Sequence, residues 1–441
     1  MNFLEALGLL IGGLSILVTI HEFGHYLPAK LFGMKVEKFY LFFDWPRKLV
    51  SFKYKDTEYG IGLLPFGGYV KIAGIVDESM DTEHTEKEPQ PWEFRSKPVW
   101  QRIIVMVGGV TMNVLLGIFI YSMLFFINGQ PKLPLEELPQ GIVVPDSSLG
   151  EKLGLQDGDR ILNVNGQQVQ YLREATDPNV FLEDDSYYTV LRDGDTLRID
   201  IPNDFVNELA ERKEIGQSLT IFRPRMPTVI TLPEPNNEDF PAVRAGLQEG
   251  DRILAVDSIP VDHFDAMREL VMERKGTSFQ LTLLRAGDTL RKEISTDSSG
   301  IVGVAPYVEP IVQMERYGFF ESFGVGSVTA FRTVGANIAG LQKVISGNAD
   351  VSKSVAGPIK IAKMYNPSNF WTLTAMLSMW LALINILPIP ALDGGHLVFL
   401  LIEAITGKEP SLRVRMIAQQ IGFFLMIMLI VLILFNDILS L

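Results

Sequence analysis

Four stretches of this chain are long and apolar enough to cross a lipid bilayer, and they set the conditions any fold must meet. They run from about Phe3 to Leu27, Ile103 to Ile127, Phe370 to Leu392 and Met416 to Asn436. Each passes the spanning test of roughly 18 or more mostly apolar residues. Lipid offers no hydrogen bonds, so every backbone N–H and C=O in such a run must be satisfied internally, which points to helices. The composition agrees: 47% of the 441 residues are hydrophobic and the mean hydropathy is +0.20. The chain therefore reads as a polytopic α-helical membrane protein with four transmembrane helices, at 1–28, 102–128, 370–396 and 416–438. A cleavable signal peptide fits the first stretch badly, since no basic region precedes it and no small-residue cleavage site follows it.

Charge orients the spans. Lys30, Lys35, Lys38, Arg47 and Lys48 follow the first, Arg95, Lys97 and Arg102 precede the second, and Lys408, Arg413 and Arg415 follow the third. Basic residues mark the cytoplasmic side. Segments 29–101 and 397–415 are thus expected in the cytoplasm, with 129–369 and both termini outside. The net charge of −13 argues against nucleic acid as a partner, because a phosphate-binding surface needs clustered Lys and Arg. There is no cysteine, so disulfides, iron–sulfur clusters and thiolate-bound zinc are excluded. Any metal must be held by His, Asp or Glu.

The outer segment contains a repeat. "GLQDGDRILNVNG" at Gly154–Gly166 returns as "GLQEGDRILAVDS" at Gly246–Ser258, and "VLRDGDTLRIDI" at Val190–Ile201 returns as "LLRAGDTLRKEI" at Leu283–Ile294. The unit is roughly 90 residues of short Val/Ile/Leu runs between Asp-Gly and Gly-Asp turns, a small strand-rich module. Its Gly-Leu-x-x-Gly-Asp-x-Ile-Leu-x-Val order resembles the PDZ family, which implies two extracytoplasmic PDZ domains, at 129–220 and 221–308. PDZ domains accept an extended peptide as an added strand; a spacer or wall is the other reading. Segment 309–369 contains Gly318–Ile345, an apolar run broken by Glu321, Arg332 and Lys343. It reads either as a helix on the outer membrane surface or as a packed soluble helix.

On the cytoplasmic side, Leu49–Ile72 has β-favouring runs around a polar turn and "PFGG", a membrane-associated β-hairpin. Strand-like backbone beside lipid must be paired or buried. Either it is an ordinary hairpin, or it dips toward the membrane and offers an open edge to a substrate. Asp77–Glu93 reads as a solvated acidic loop, and His84 and His263 as solvated histidines.

The chemistry begins in "HEFGH". His21 and His25 stand at i and i+4, so on a helix they leave one face together, suited to two metal bonds. Glu22 is placed as a general base for a water on the metal, and neutral imidazoles on Zn²⁺ leave room for that water and a third ligand. Paired histidines anchored at the headgroup interface are the competing reading. Asp393, in "NILPIPALDGGH", falls at the cytoplasmic end of the third span, the same side as His25, and is the candidate third ligand. Pro388 and Pro390 break the helix there. His396 is expected beside the site or at the surface, and Asn113 and Asn385 are polar residues of the kind that bond between helices.

With these residues in hand, the chain resembles the site-2 protease family of intramembrane zinc metalloproteases, in its bacterial envelope-stress form with tandem PDZ domains. The likeness rests on "HEFGH", on "LDGG" after "NILPIP", on four spans and on the repeat. It implies zinc on His21, His25 and Asp393, with Glu22 as acid/base. It also implies that Asn385 helps hold substrate backbone and that the hairpin, through Gly60, Ile61, Gly62, Pro65, Gly67 and Gly68, aligns substrate as an added strand. The implied partners are the bilayer and a single-span substrate, a pre-trimmed anti-sigma factor, with remnant signal peptides as a further class. The implied location is the bacterial inner membrane, PDZ domains periplasmic. Where the family often has Gly-Pro-x-x-Asn, this chain has "GGVTMN" (Gly108–Asn113). A PDZ membrane adaptor with a structural zinc site is the rival from another class.

Overall fold

A computed structural model describes residues 3–75, 88–138, 141–214, 221–296, 300–307, 312–348 and 357–439. His84 and most of the acidic segment Asp77–Glu93 lie outside them. The chain forms two units: Met1–Gly129 with Arg316–Ile345 and Asp350–Leu441, and Gln130–Glu315 with Ser346–Ala349.

The first unit is helical. Its helices are α1 (Phe3–Leu31), α2 (Val99–Asn128), α3 (Phe319–Ile345), α4 (Pro358–Met364), α5 (Phe370–Ile386), α6 (Asp393–Thr406) and α7 (Leu412–Leu439). Three segments are long and apolar enough to cross a membrane: Phe3–Leu31, Val99–Asn128 and Leu412–Asp437. Only 11% of the apolar window of α7 is buried inside the protein. So large an exposed apolar surface requires lipid, and the chain is an integral membrane protein.

The third expected span differs from its reading as one helix over 370–396. Helix α5 has 17 residues, about 25 Å at 1.5 Å per residue. It stops because Leu387 precedes Pro388 and is extended (φ −61°, ψ 145°). The chain then turns through 387–392 and restarts as α6. Segment 397–415, expected as a loop, is therefore helical as far as Thr406, because its Leu/Val/Phe side chains pack α6 onto α2.

Helix α2 packs against α1, α3, α5 and α6, and glycines set how closely. A Cβ on Gly108 would lie 2.0 Å from the Gly24 carbonyl oxygen, and one on Gly24 would lie 2.3 Å from the Gly108 oxygen. The α1 and α2 backbones therefore touch, the small-residue packing expected where no hydrophobic drive separates helix from lipid. Farther along, Gly117 admits Met379 of α5 and Gly326 of α3 meets Ser122. The Gly318–Ile345 run is thus a helix packed along α2.

Strands β1 (Val36–Tyr54) and β2 (Thr57–Ile72) form one folded hairpin. Phe39 pairs with Val70 on one side and Tyr59 on the other, and Tyr59 pairs again with Phe52. Residues 58–61 are therefore interior, and residues 68–72 form an edge beside α1. The turn is pinned by Glu58, which accepts from Lys48 Nζ (2.8 Å) and Tyr40 Oη (2.7 Å). Those bonds hold its carboxyl down at about 2.

In the second unit the repeated sequence folds twice in the same way. Strand order is 167–168, 160–164, 187–192, 195–200 in the first copy and 259–260, 252–256, 278–285, 288–295 in the second. Buried Asp159 pairs with Arg192, and Asp251 with Arg285, each arginine also donating to the oxygen of Gly154 or Gly246. The boundary expected at 220/221 moves: Ile221 and Phe222 are buried in the first core, and Arg223–Pro224 pairs with Ile142–Val143. His263, read as solvated, is buried and caps the helix Phe264–Glu273, its Nδ1 accepting from Ala266 N–H.

The glycine contact makes a prediction. Gly108→Ala should destabilise the protein by about 1–3 kcal/mol. Gly335→Ala in α3, where a Cβ meets nothing within 4 Å, should be neutral or stabilising by up to about 1 kcal/mol. Thermal unfolding in detergent reads both.

Candidate metal centre

His21 and His25 lie on one face of α1 and both are buried. Asp393 is the first residue of α6, delivered by the turn after α5. Gly394 and Gly395 let that turn close: a Cβ on Gly394 would sit 2.0 Å from the Leu387 oxygen, and one on Gly395 2.5 Å from the Ile389 oxygen. Ala391, at φ +75°, donates its N–H to Gln419 Oε1 of α7. Gln419 also meets His396 Nε2 at 2.9 Å, which places His396 beside the turn and apart from the ligand cluster.

The three ligand atoms form a near-equilateral triangle. His21 Nε2 to Asp393 Oδ2 is 3.2 Å, His25 Nε2 to Asp393 Oδ2 is 3.4 Å, and His25 Nε2 to His21 Nε2 is 3.3 Å. A tetrahedral Zn²⁺ with bonds of about 2.0–2.1 Å has ligand–ligand edges of about 3.3–3.4 Å. The triangle is one face of that tetrahedron. Asp393 Oδ2 is buried and accepts no hydrogen bond, which a cation at the centre would resolve. Among the described residues, this is the His/Asp/Glu cluster whose ligand atoms converge, all within 4.8 Å. Three such groups would leave one position of a tetrahedral ion open, as in catalytic zinc sites, whereas structural sites are closed by four.

Each imidazole is held from behind by α2. His25 Nδ1 bonds to the Val105 carbonyl oxygen at 2.8 Å, and the Asn113 side-chain amide meets His21 Nδ1 at 3.1 Å. Asn113 is fully buried, and Ser378 Oγ of α5 donates to its backbone oxygen at 2.7 Å. Asn113 thus bonds between helices, as the sequence leads one to expect, with His21 of α1 and Ser378 of α5 as its partners. Gly109 itself faces both rings: a Cβ there would lie 2.4 Å from His25 Nε2 and 2.7 Å from His21 Cε1.

Asn385 Nδ2 of α5 reaches His21 Nε2 at 3.3 Å, so it borders the triangle. The Glu22 carboxylate is near enough to both imidazoles and Asp393 to interact electrostatically, and it lies beside the hairpin edge. A Cβ on Gly68 would meet Val18 at 2.6 Å and Glu22 Cγ at 3.4 Å. The hairpin residues therefore separate. Gly68 lies beside Glu22, Gly67 faces the Phe43 ring, and Pro65 precedes them on the same strand. Gly60 and Ile61 are paired on both sides, and Gly62 is paired with Lys48 and pressed on the Phe43 carbonyl. A strand paired on both sides has no edge to offer, which argues against Gly60 and Ile61 as positions that receive substrate; Gly62 is paired on one side only.

The model of peptidase family M50 matches residues 9–429. The chain is 31% identical over 463 aligned positions to the regulator of sigma-E protease RseP of Escherichia coli, covering 99% of each. It is 29% identical over 468 positions to the regulator of sigma E protease of Haemophilus influenzae, covering all of both. It is 30% identical over 443 positions, 96% of each, to a protein of Neisseria meningitidis whose name describes it as a zinc metalloprotease.

Because Gly109 abuts both rings, Gly109→Ala should displace them. Zinc affinity measured by chelator competition should fall on the order of tenfold or more, while the helix itself gains propensity.

Proposed function

Because the chain belongs to peptidase family M50, the site-2 proteases, and is a zinc metalloprotease, we propose that it hydrolyses peptide bonds within transmembrane segments of single-span membrane proteins. His21, His25 and Asp393 hold the zinc, and Glu22 is the catalytic acid/base. The observation that carries this reading is the 3.2–3.4 Å triangle assembled from α1 and α6 within an apolar helical unit.

When bound, zinc supplies Lewis acidity to the scissile carbonyl and to the attacking water. The chain's own residues do the rest. Glu22, beside the hairpin edge at Gly68, takes the water's proton and passes it to the leaving amine. Val105 and Asn113 hold the imidazoles in place, and Asn385 offers an N–H donor at the rim of the site, where it helps hold substrate backbone. A helical substrate has its carbonyls already bonded, so it must unwind before attack. Unwound, it would lie as a strand along the Gly67–Gly68 edge, where main-chain bonds replace those it lost.

The topology proposed places four spans in the bacterial inner membrane, with α5 as the short third span and the zinc toward the cytoplasm. The two repeat modules are PDZ domains on the periplasmic side, acting as a filter against substrates with intact outer domains. The names of the relatives support a substrate in sigma-factor regulation, an anti-sigma factor trimmed by a prior cut; remnant signal peptides would meet the same chemistry. The repeat modules suit either reading, and the three-ligand set, which would leave one zinc position open, favours a protease over an adaptor with structural zinc.

The test sets wild type against Glu22→Gln, with zinc content and cleavage of a transmembrane peptide measured side by side. Zinc should be retained and cleavage should fall about 100-fold or more. Equal cleavage by both proteins would refute the assignment of Glu22.

A further inference from the structure

The two zinc-ligand histidines are supported in different ways, and the difference assigns a role to Asn113. A histidine that binds metal through Nε2 must carry its proton on Nδ1, and the acceptor of that proton fixes both tautomer and ring orientation. For His25 the acceptor is the Val105 carbonyl, a backbone group at 2.8 Å. For His21 the group facing Nδ1 is the Asn113 side-chain amide at 3.1 Å.

That amide stands with Nδ2 toward the ring and with Oδ1 buried and unpartnered. An amide's oxygen and nitrogen have the same shape, and their placement follows from the bonding network. Turning the Asn113 amide by 180° puts Oδ1 on His21 Nδ1. The turn exchanges which end of the amide lacks a partner, so the choice between the two is set by the metal: only with Oδ1 on His21 Nδ1–H is His21 Nε2 the lone-pair nitrogen that faces Asp393 Oδ2 and His25 Nε2. Asn113 is placed to hold this arrangement: it is fully buried, its backbone oxygen accepts from Ser378 Oγ at 2.7 Å, and Ser378 is fully buried too.

We infer that Asn113 is a positioning residue for zinc, its side-chain oxygen accepting the His21 Nδ1 proton, so that α5, α2 and α1 are linked through Ser378, Asn113 and His21 to the metal. This rests on His21, His25 and Asp393 being the ligands. Because His25 leans on backbone, Asn113 is the point at which a side-chain change can loosen the ligand set without touching a ligand.

The experiment measures zinc dissociation constants of the full-length, detergent-solubilised protein by competition with a chelating fluorophore. Alongside it runs the melting temperature of the metal-free form. Asn113→Leu removes the acceptor at similar volume, Asn113→Ala removes it without added bulk, and Asn113→Asp keeps it. Whichever acceptor-free variant retains the metal-free melting transition of wild type should bind zinc about 10- to 100-fold more weakly. Asn113→Asp should bind at least as tightly as wild type to within a few-fold. Acceptor-free variants that bind zinc like wild type, or an Asp variant as weak as they are, would overturn the inference. His25→Ala is the control for the underlying reading: if it binds zinc as wild type does, the ligand assignment fails; if it loses zinc while the Asn113 variants do not, the role of Asn113 alone fails.

Discussion

The first unit depends on a contact between two backbones. Where α1 and α2 cross, Gly24 and Gly108 leave each helix's carbonyl against the other's Cα, and Gly109 leaves space for the two imidazoles. Any side chain at these positions would push the helices apart by more than a hydrogen bond tolerates. With the backbones touching, α2 can reach behind the histidines of α1 with the Val105 oxygen and the Asn113 amide. Close approach is thus the condition for a rigid ligand pair, and dispersion between helices, the main attraction left to them in lipid, is greatest there too.

A second steric device delivers the third ligand. Pro388 stops α5, the 387–392 turn reverses the chain, and Gly394 and Gly395 allow α6 to start against the turn's own carbonyls. Gly422 of α7 does the same from outside, a Cβ there falling 2.0 Å from the Pro390 oxygen. Asp393 therefore opens α6 at a helix N-terminus, where the macrodipole favours a carboxylate. The hairpin completes the enclosure: its 68–72 edge runs beside α1 at Val18 and Glu22. His21, Glu22 and His25 come from α1, Asp393 from α6 and the neighbouring edge from the hairpin, so the site needs all three folded.

Much of this was legible in the sequence, for physical reasons that differ from residue to residue. His21, Glu22 and His25 announced themselves because i, i+4 spacing on a helix is geometry that sequence carries directly. Asp393 followed because topology put it on the same membrane side. The repeat was visible as repetition and folds as two equal sheets. What stayed hidden depends on tertiary pairing. Nothing local in "GIGLLPFGGYVKI" says that Gly60 and Ile61 are flanked on both sides while Gly68 lies at an edge; that follows from Phe39 and Tyr40 inserting between them. The end of α5 at Ile386 was signalled by Pro388, but the restart at Asp393 was not, because Gly-Gly is a poor helix opening until the preceding carbonyls are in place. Asn113 bonds between helices as expected, but that its partner is His21, and that His263 is a buried helix cap, shows only in the fold.

The central claim is that one zinc ion is held by two helix-borne imidazoles and a carboxylate from 368 positions beyond His25 (393 − 25). Zinc-edge X-ray absorption on the purified, zinc-loaded protein tests it most directly. Wild type should show a four-coordinate nitrogen/oxygen shell at about 2.0–2.1 Å with the scattering of two imidazoles, falling to one imidazole in His25→Ala. A shell with fewer than two imidazoles in wild type, or one unchanged in that variant, would contradict it.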